Sequence, residues 1–344
     1  MTTAVASRPE TDPGGRSSFL ARARTSPLAR LVVRRVLIAI PLLVAVSILV
    51  FALLEAMPGD PARQQAGMDA SEAEVEAIRQ TMGLDRPAPE RYLSWLGGAL
   101  TGDLGRSSVS NRAVVDLLGE RLPVTLEIVG LAFVLSIAVA LPVALLAARR
   151  PGGFFDRLIM VMAMTLLAIP NYVLAILLVL VFAVLLRQLP AIGFVPLAED
   201  LAGNLRSVIL PTLALAVPLM CFYARFLRGD LVEQINSADY VDTARAKGAG
   251  PWRVLWQHAF RNSSFGLLTI VGLNIGTLVG GTVIIEQIFA MPGMGQLMLE
   301  GALSRDVAVV QACVFIFAAV AIFANLIVDV MYAVLDPRIR YGSH

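Results

Sequence analysis

The sequence is poor in the side chains that carry most enzyme chemistry. Among 344 residues it has two cysteines, two histidines and a single lysine, Lys247. Cys221 and Cys313 lie in apolar runs, which favours small buried side chains over a disulfide or a reactive thiol. His258 and His344 are too few and too far apart for a histidine metal site, so no metal ligands are predicted. The sequence also lacks a Gly-x-x-x-x-Gly-Lys-Ser/Thr phosphate loop, so the chain is not expected to bind ATP in that way.

Charge is scarce as well. Only 16% of the residues are charged and 57% are hydrophobic, with a mean hydropathy of +0.74. Soluble domains are about 25% charged, so this balance indicates a protein in contact with lipid. A net charge of +2 is too small to indicate a nucleic-acid partner.

Six apolar stretches are long enough to cross a bilayer, which takes about 20 residues. They are 36–54, 124–148, 158–186, 207–227, 265–290 and 307–335. The first is longer than the apolar part of a signal peptide and is predicted to be a retained anchor. The third carries Pro170-Asn171 at its centre. The sequence therefore predicts an all-α, polytopic membrane protein with six transmembrane helices.

The basic residues predict the orientation of the chain. Seventeen of the 28 lie before the first stretch, between the second and third, between the fourth and fifth, or after the sixth, and Arg225 at the end of the fourth stretch makes eighteen. In segment 58–121, by contrast, ten carboxylates offset seven arginines. Because basic loops stay in the cytoplasm, both termini are predicted to be cytoplasmic, in a plasma or inner membrane.

These features divide the chain into five predicted regions. They are a disordered or amphipathic cytoplasmic segment (1–30), the first transmembrane helix (31–57), an external insertion (58–121), a core of five transmembrane helices (122–337) with a cytoplasmic loop (229–262), and a cytoplasmic tail (338–344).

The insertion is predicted to fold locally. Ser71 and Glu74 form a capping box for a helix that Gly83 ends. A second helix is expected over 89–96, broken by Gly97-Gly98, and a third after a cap at Asn111. Two roles stay open for this segment: a lid on the bilayer surface, or a docking platform or gate for an external partner.

The loop between the fourth and fifth stretches predicts a helix–turn–helix. The first helix covers 238–247 with Ser237 as its N-cap, and Gly248 ends it. Pro251 suits the first turn of the second helix. The small apolar face of the first helix would let another protein approach closely, and it consists of Tyr240, Val241, Ala244 and Gly248. An ordinary amphipathic re-entrant loop has the same periodicity.

Asp242-Thr243-Ala244 followed by Gly248 resembles the Glu-Ala-Ala-x-x-x-Gly coupling motif of ABC importer permeases, which inserts a short helix into a cleft on the ATPase subunit. Asp242 and Thr243 depart from the general motif, and so does the segment from His258 to Arg261. These departures resemble the dipeptide/oligopeptide/nickel branch, as a B-type subunit with a long external insertion. Further segments agree with that branch in the same order: 58–61, 83–87, 102–107, 122–127, 286–295 and 335–338.

The resemblance implies a type I ABC importer permease fold and a coupling role for part of the loop. The residues concerned are Tyr240, Val241, Asp242, Thr243, Ala244, Lys247 and Gly248. It also implies a second homologous permease, two ATPase subunits that carry ATP and magnesium, an extracytoplasmic substrate-binding protein and surrounding lipid. The chain would then be a transport subunit and not an enzyme. Di- or oligopeptides are the first expectation for the cargo, with nickel chelates, glutathione or another small solute as alternatives.

Ionisable side chains within spans are costly and usually face protein or water. The candidates are Glu127, Arg225, Glu286 and Asp329. Arg225 and Asp329, near cytoplasmic ends, are expected to snorkel or to pair structurally. Glu286 and Asn274 are the candidate residues of the translocation pathway, although inter-span hydrogen bonding explains Glu286 equally well. An ion-coupled secondary transporter using Glu127, Glu286 and Asp329 is the alternative of a different class.

Overall fold

The computed structural model describes residues 27–67 and 69–335, so the predictions for the first 26 residues and for the tail lie outside the described residues. The described chain is helical, with one isolated bridge between Arg106 and Ala113. In chain order its helices are α1 (Pro27–Glu55), α2 (Pro61–Ala66), α3 (Glu72–Thr81), α4 (Ala88–Thr101), α5 (Val114–Ala148), α6 (Phe154–Leu167), α7 (Asn171–Leu185), α8 (Leu201–Ser237), α9 (Asp239–Ala246), α10 (Pro251–Ile288), α11 (Met294–Leu303) and α12 (Val307–Leu335).

Five of the described helices, α1, α5, α8, α10 and α12, are each long and apolar enough to cross a membrane. The third predicted span is not one straight helix: α6 and α7 meet at an angle of 101°. Pro170 stands at the break as the N-cap residue of α7. A proline disfavours the helical conformation of the residue before it, which explains why α6 ends here.

The α6–α7 pair nevertheless crosses the bundle once, as the contacts at the two ends of the pair indicate. Near the start of α6, Asp156 pairs with Arg228 in the last third of α8. After α7, the Gly193 amide donates to the Phe289 carbonyl, just past the end of α10. The chain therefore passes from one end of the bundle to the other, which gives six crossings within residues 27–335. We call the end that carries 238–250 the loop end and the end that carries 58–113 the insertion end.

Most of the helices that cross are longer than the apolar stretches that predicted them, whereas α12 has the predicted bounds. Helix α5 begins at Val114, and its N-cap residue Ala113 makes no side-chain hydrogen bond, so the predicted cap at Asn111 is wrong. Asn111 instead has a φ of 54°. Helix α4 runs through Gly97-Gly98 and ends at Gly102, with a φ of 88°, so the predicted break is also wrong. Glycine weakens a helix by only about 1 kcal/mol, which neighbouring packing can offset.

The insertion is attached to the segment just before α12. The predicted capping box of Ser71 and Glu74 is confirmed at the start of α3. Arg305 donates to the Pro58 carbonyl, immediately after α1. The Ser107 hydroxyl donates to the buried carboxylate of Asp306. Two contacts between residues about 200 or more positions apart thus hold the insertion on the bundle.

The core lies among α5, α8 and α10. One buried cluster occupies the insertion half and includes Ile128, Leu215 and Ile285. A second occupies the loop half and includes Tyr223, Leu227 and Leu255. Helix α1 is peripheral: it packs on α12, where Arg35 pairs with Asp329 at 2.9 Å, and most of its large apolar side chains are exposed. In a membrane protein such exposed apolar surface faces lipid or another membrane subunit.

Candidate functional site

Helix α9 ends in a complete Schellman motif. The Ala249 amide donates to the Ala244 carbonyl at 3.0 Å, and the Gly248 amide donates to the Arg245 carbonyl at 2.9 Å. Gly248 has a φ of 82°, in the left-handed region that favours glycine. The stop predicted at Gly248 is therefore confirmed. The predicted N-cap is wrong, since Ser237 is the last residue of α8 and Ala238 takes the cap position without a side-chain bond.

The predicted apolar face of α9 is turned inward. Val241 is 0% exposed and Ala244 is 7% exposed, and both pack against Val254 at the start of α10. Their side chains are therefore occupied within the loop and are not available to a second protein. The buried cluster of Val241, Ala244 and Val254 holds α9 against the start of α10.

The opposite face of α9 is exposed and polar. Asp242 and Arg245 form an exposed pair at 3.2 Å, one helical turn apart. Thr243 and Lys247 are exposed on the same short helix. These four residues thus present both signs of charge, including the chain's single lysine, on one short segment at the loop end.

Tyr240 links α9 to both long helices beside it. Its hydroxyl donates to Gln234 Oε1 of α8 at 2.6 Å and accepts from Asn262 Nδ2 of α10 at 3.1 Å. A displacement of α9 would therefore act on two membrane-crossing helices at once. Periodicity had placed Tyr240 on the apolar face and did not show this role.

The second helix of the predicted helix–turn–helix is not separate. Pro251 occupies its first turn as predicted, but the helix continues through a π-helical stretch, Val254–Ala259, directly into the fifth crossing. Leu255 and Ala259 are buried against Leu227 and Leu231 of α8. The loop is thereby joined to α10 without a flexible connector.

A second site lies at the insertion end, around a carboxylate that is 0% exposed. Glu286 Oε1 accepts a hydrogen bond from the Thr125 hydroxyl at 2.7 Å, and Oε2 accepts from the Gln296 amide at 3.1 Å. The Thr125 hydroxyl also accepts from the Met294 amide at 2.8 Å. A carboxylate at the start of α11 satisfies amides that have no partner within the helix, and it is favoured there by the helix dipole.

Two glycines make room for that carboxylate. A Cβ on Gly293 would collide with the Glu286 carboxylate, and a Cβ on Gly295 would lie 2.6 Å from the Val283 Cα. The segments 122–127 and 286–295, which the sequence showed only as separate motifs, form one junction between α5, α10 and α11. Glu286 therefore takes part in the inter-span bonding that was one of its two predicted roles.

The two candidate pathway residues do not come together. Asn274 donates to the Ile270 carbonyl of its own helix at 2.8 Å. It lies 12 residues before Glu286 on α10, which corresponds to about 18 Å along the axis. Glu127 is half-buried, Arg225 is exposed, and Asp329 is paired with Arg35 as expected for a structural role.

Sequence reasoning missed several residues that organise the molecule. Arg305 and Asp306 hold the insertion, and Asp156, 4% exposed, accepts two hydrogen bonds from Arg228 at 2.8 and 2.6 Å. Helix α11 was also missed. Nothing in the local pattern near Asp156 names a partner 72 positions away.

A multi-pass bundle with a polar loop at one end and a folded insertion at the other is a membrane transport subunit in form, and the comparisons agree. A family model described as binding-protein-dependent transport system inner membrane component matches residues 140–341, and the N-terminal model of the same kind of component matches residues 28–129. The chain belongs to this family.

Named relatives extend over nearly the whole chain. A putative peptide transport system permease of Brucella abortus is 40% identical over 91% of this chain and 100% of its own length. The oligopeptide transport system permease AppB of Bacillus subtilis is 36% identical over 91% of this chain and 100% of its own. The glutathione transport system permease GsiC of Escherichia coli is 37% identical, covering 90% and 98%.

The fold has a solved counterpart. An inward-facing structure of the methionine ABC transporter MetNI matches with a TM-score of 0.50 and 18% identity, covering 64% of this chain and 96% of that one. The predicted class, an all-α ABC importer permease, is confirmed. The chain is a transport subunit of the inner membrane, not an enzyme, and it works with separate ATPase subunits and a substrate-binding protein.

Proposed function

We propose that this chain forms half of the translocation pathway of an importer for di- or oligopeptides. The support is the 36–40% identity, over nine-tenths of the chain, to permeases named for peptide or oligopeptide transport. Glutathione, itself a small peptide, is the second candidate cargo because GsiC is 37% identical.

The other half of the pathway is a second permease, related to this chain but lacking the long insertion. The described residues contain one coupling loop, whereas two ATPase subunits close on each other around bound ATP. Two permeases therefore supply one loop to each ATPase. ATP and magnesium belong to those subunits, and this chain binds neither.

The loop end faces the cytoplasm in this proposal, together with both termini. Most of the basic residues lie in the segments at that end, as the positive-inside rule requires. Arg35 and Asp329, which lie close to the two described ends of the chain, form an ion pair at the loop end. The insertion then faces outward, where the substrate-binding protein docks.

The loop itself transmits the motion of the ATPase. Asp242, Thr243 and Lys247 contact the ATPase cleft, whereas Val241 and Ala244 keep α9 seated on α10. Tyr240 passes the displacement to α8 and α10 through its two hydrogen bonds. The crossings then rock and expose a midplane cavity alternately to the two sides.

The test is Gly248→Asp in the full complex, with Gly102→Asp as the matched control. Both glycines end a helix with similar φ values, 82° and 88°, and neither has a heavy atom within 4 Å of a built Cβ. The backbone cost is therefore similar, but only Gly248 lies on the coupling loop.

We expect Gly248→Asp to lower ATP-dependent uptake of a labelled tripeptide at least tenfold while ATP hydrolysis and membrane abundance persist. Gly102→Asp should stay within about twofold of the parent. Equal transport by the two variants would refute the coupling role. Competition by unlabelled dipeptides, but not by glutathione, would favour the first cargo over the second.

A further inference from the structure

A groove of about 800 Å³ lies between α1 and α10, and α12 forms its floor. Helices α1 and α10 each pack on α12. A Cβ on Gly272 would lie 2.6 Å from Val328 Cγ1, so the missing side chain of this glycine lets α10 approach α12 closely. Neither α9 nor the Glu286 junction contributes to the wall, and the volume is in the range of ligand sites.

The wall of the groove is largely apolar. Four of its sixteen lining residues are polar, and two of these, Thr269 and Asn325, donate hydrogen bonds to carbonyls of their own helices. Two large apolar side chains of the wall stay open to the surroundings: Leu273 is 71% exposed and Phe323 is 63% exposed. An occupant of this part of the groove therefore has to be apolar.

The groove has the length of one leaflet of a bilayer. On α1 it extends from Arg35 to Leu43, and on α12 from Ala319 to Asp329, which correspond to about 12 and 15 Å along the helix axes. Half of the hydrocarbon core is about 15 Å thick. These residues belong to the first half of α1 and to the second half of α12, so the groove lies in the leaflet at the loop end.

Three exposed arginines stand where the groove reaches the loop end. Arg35 is part of its wall. Arg30 and Arg34 lie eight and four residues before Ile38, another lining residue, so they continue the same ridge of α1. Arg35 pairs with Asp329, the single carboxylate of the wall, and the described residues supply no ion-pair partner to Arg30 or Arg34. The mouth therefore carries three positive charges against one negative charge.

The occupant has to combine an apolar body with a negative charge at the membrane surface. A second permease subunit obeys the same positive-inside rule, so it would bring further arginines to this level and repel Arg30 and Arg34. An anionic phospholipid has its chains in the hydrocarbon and its phosphate at the surface. Basic pockets between membrane-crossing helices bind headgroups of this kind.

We propose that this groove binds an anionic phospholipid of the leaflet at the loop end. One acyl chain lies between α1 and α10, and the phosphate binds among Arg30, Arg34 and Arg35, because hydrogen bonds between guanidinium groups and phosphate are charge-assisted and strong. The bound lipid fills the space that α1 and α10 leave open above α12. The site depends neither on the identity of the cargo nor on the coupling role of α9.

The experiment compares two lipids with the same chains. The full transport complex is placed in nanodiscs of equal parts dioleoyl phosphatidylcholine and dioleoyl phosphatidylglycerol, and native mass spectrometry counts the lipids of each kind that stay bound. The test variant combines Arg30→Gln with Arg34→Gln. The matched control combines Arg149→Gln with Arg150→Gln, two exposed arginines at the loop end that do not line the groove and whose loss changes the net charge equally.

We expect the parent to retain phosphatidylglycerol in preference to phosphatidylcholine. An arginine near the surface strengthens binding of an anionic lipid by about fivefold, so the test variant should lower the retention of phosphatidylglycerol at least tenfold. The control should stay within about twofold of the parent. Ala39→Phe, which fills the groove from α1, should displace the lipid with all arginines in place, whereas Ala183→Phe, a half-buried alanine of α7 outside the groove, should not.

Each other outcome overturns a defined part of the proposal. Equal losses in the two arginine variants would mean that surface charge in general attracts the lipid, and the site would be rejected. Equal retention of the two lipids would reject the anionic headgroup, and retention unchanged by Ala39→Phe would reject the groove as the place of the chain. If no lipid is retained and a cysteine introduced by Phe323→Cys cross-links to the second permease, that subunit and not a lipid occupies the groove.

Discussion

The Thr125 hydroxyl links α5, α10 and α11 at one buried junction. Thr125→Val keeps the shape of the side chain and removes a donor to Glu286 at 2.7 Å and an acceptor for the Met294 amide at 2.8 Å. All three residues are buried, at 2%, 0% and 0% exposure. Water therefore has little access to replace either bond.

The structure gives the size of the effect. A hydrogen bond to a charged group contributes about 1.5–3 kcal/mol, and a buried amide left without a partner costs about 1–3 kcal/mol. The two losses share one atom and are not additive, so we expect Thr125→Val to lower the free energy of unfolding by about 3 kcal/mol. The amide that loses its acceptor begins α11, so this helix should loosen first.

The measurement is thermal unfolding of the full chain in nanodiscs, followed by hydrogen exchange of the α11 amides. Thr165→Val is the control: that hydroxyl is exposed and donates to the Val161 carbonyl of its own helix. We expect this control to change stability by no more than about 0.5 kcal/mol. If Thr125→Val proves as stable as Thr165→Val, the junction does not hold the bundle as described.

Three further changes test other contacts. Gly272→Ala places a Cβ 2.6 Å from Val328 Cγ1, so thermal unfolding should show a loss of about 1–3 kcal/mol that Val328→Ala largely restores; no rescue would contradict this packing. Asp156→Asn weakens a buried, bidentate ion pair and should cost about 2 kcal/mol in the same assay, an effect that high salt in the parent should not mimic. Burial raises the pKa of Asp60, but hydrogen bonds, first of all from Arg79, outweigh it and hold that pKa below its ordinary value. The Asp60 carboxylate therefore stabilises the folded insertion above about pH 4, and this stabilisation is lost as pH falls through the lower folded pKa. Proteolysis of the insertion should become faster in acid, and Asp60→Asn should remove part of that change.

Local patterns in the sequence carried much of the result. Hydropathy located the crossings, the capping box at Ser71 and Glu74 began α3, and Gly248 ended α9, because each of these signals depends on residues within one or two helical turns. The resemblance of the 238–250 loop to a coupling motif was recognisable from its residues for the same reason. The prediction of helix ends was wrong where packing overrode local preference, as at Gly97-Gly98, where the helix continues.

The tertiary structure alone decided what those segments meet. Thr125 joins Glu286 across 161 positions, and Arg305 joins Pro58 across 247. The packing of α9 on α10 also buries Val241 and Ala244, so that α9 presents its polar face to solvent. Pairings of this kind depend on how helices pack in space, and neither periodicity nor capping rules record the distance between residues far apart in the chain. The sequence by itself determined a permease with six apolar crossings and a loop that resembles a coupling motif, and only packing decided which residues hold the crossings together.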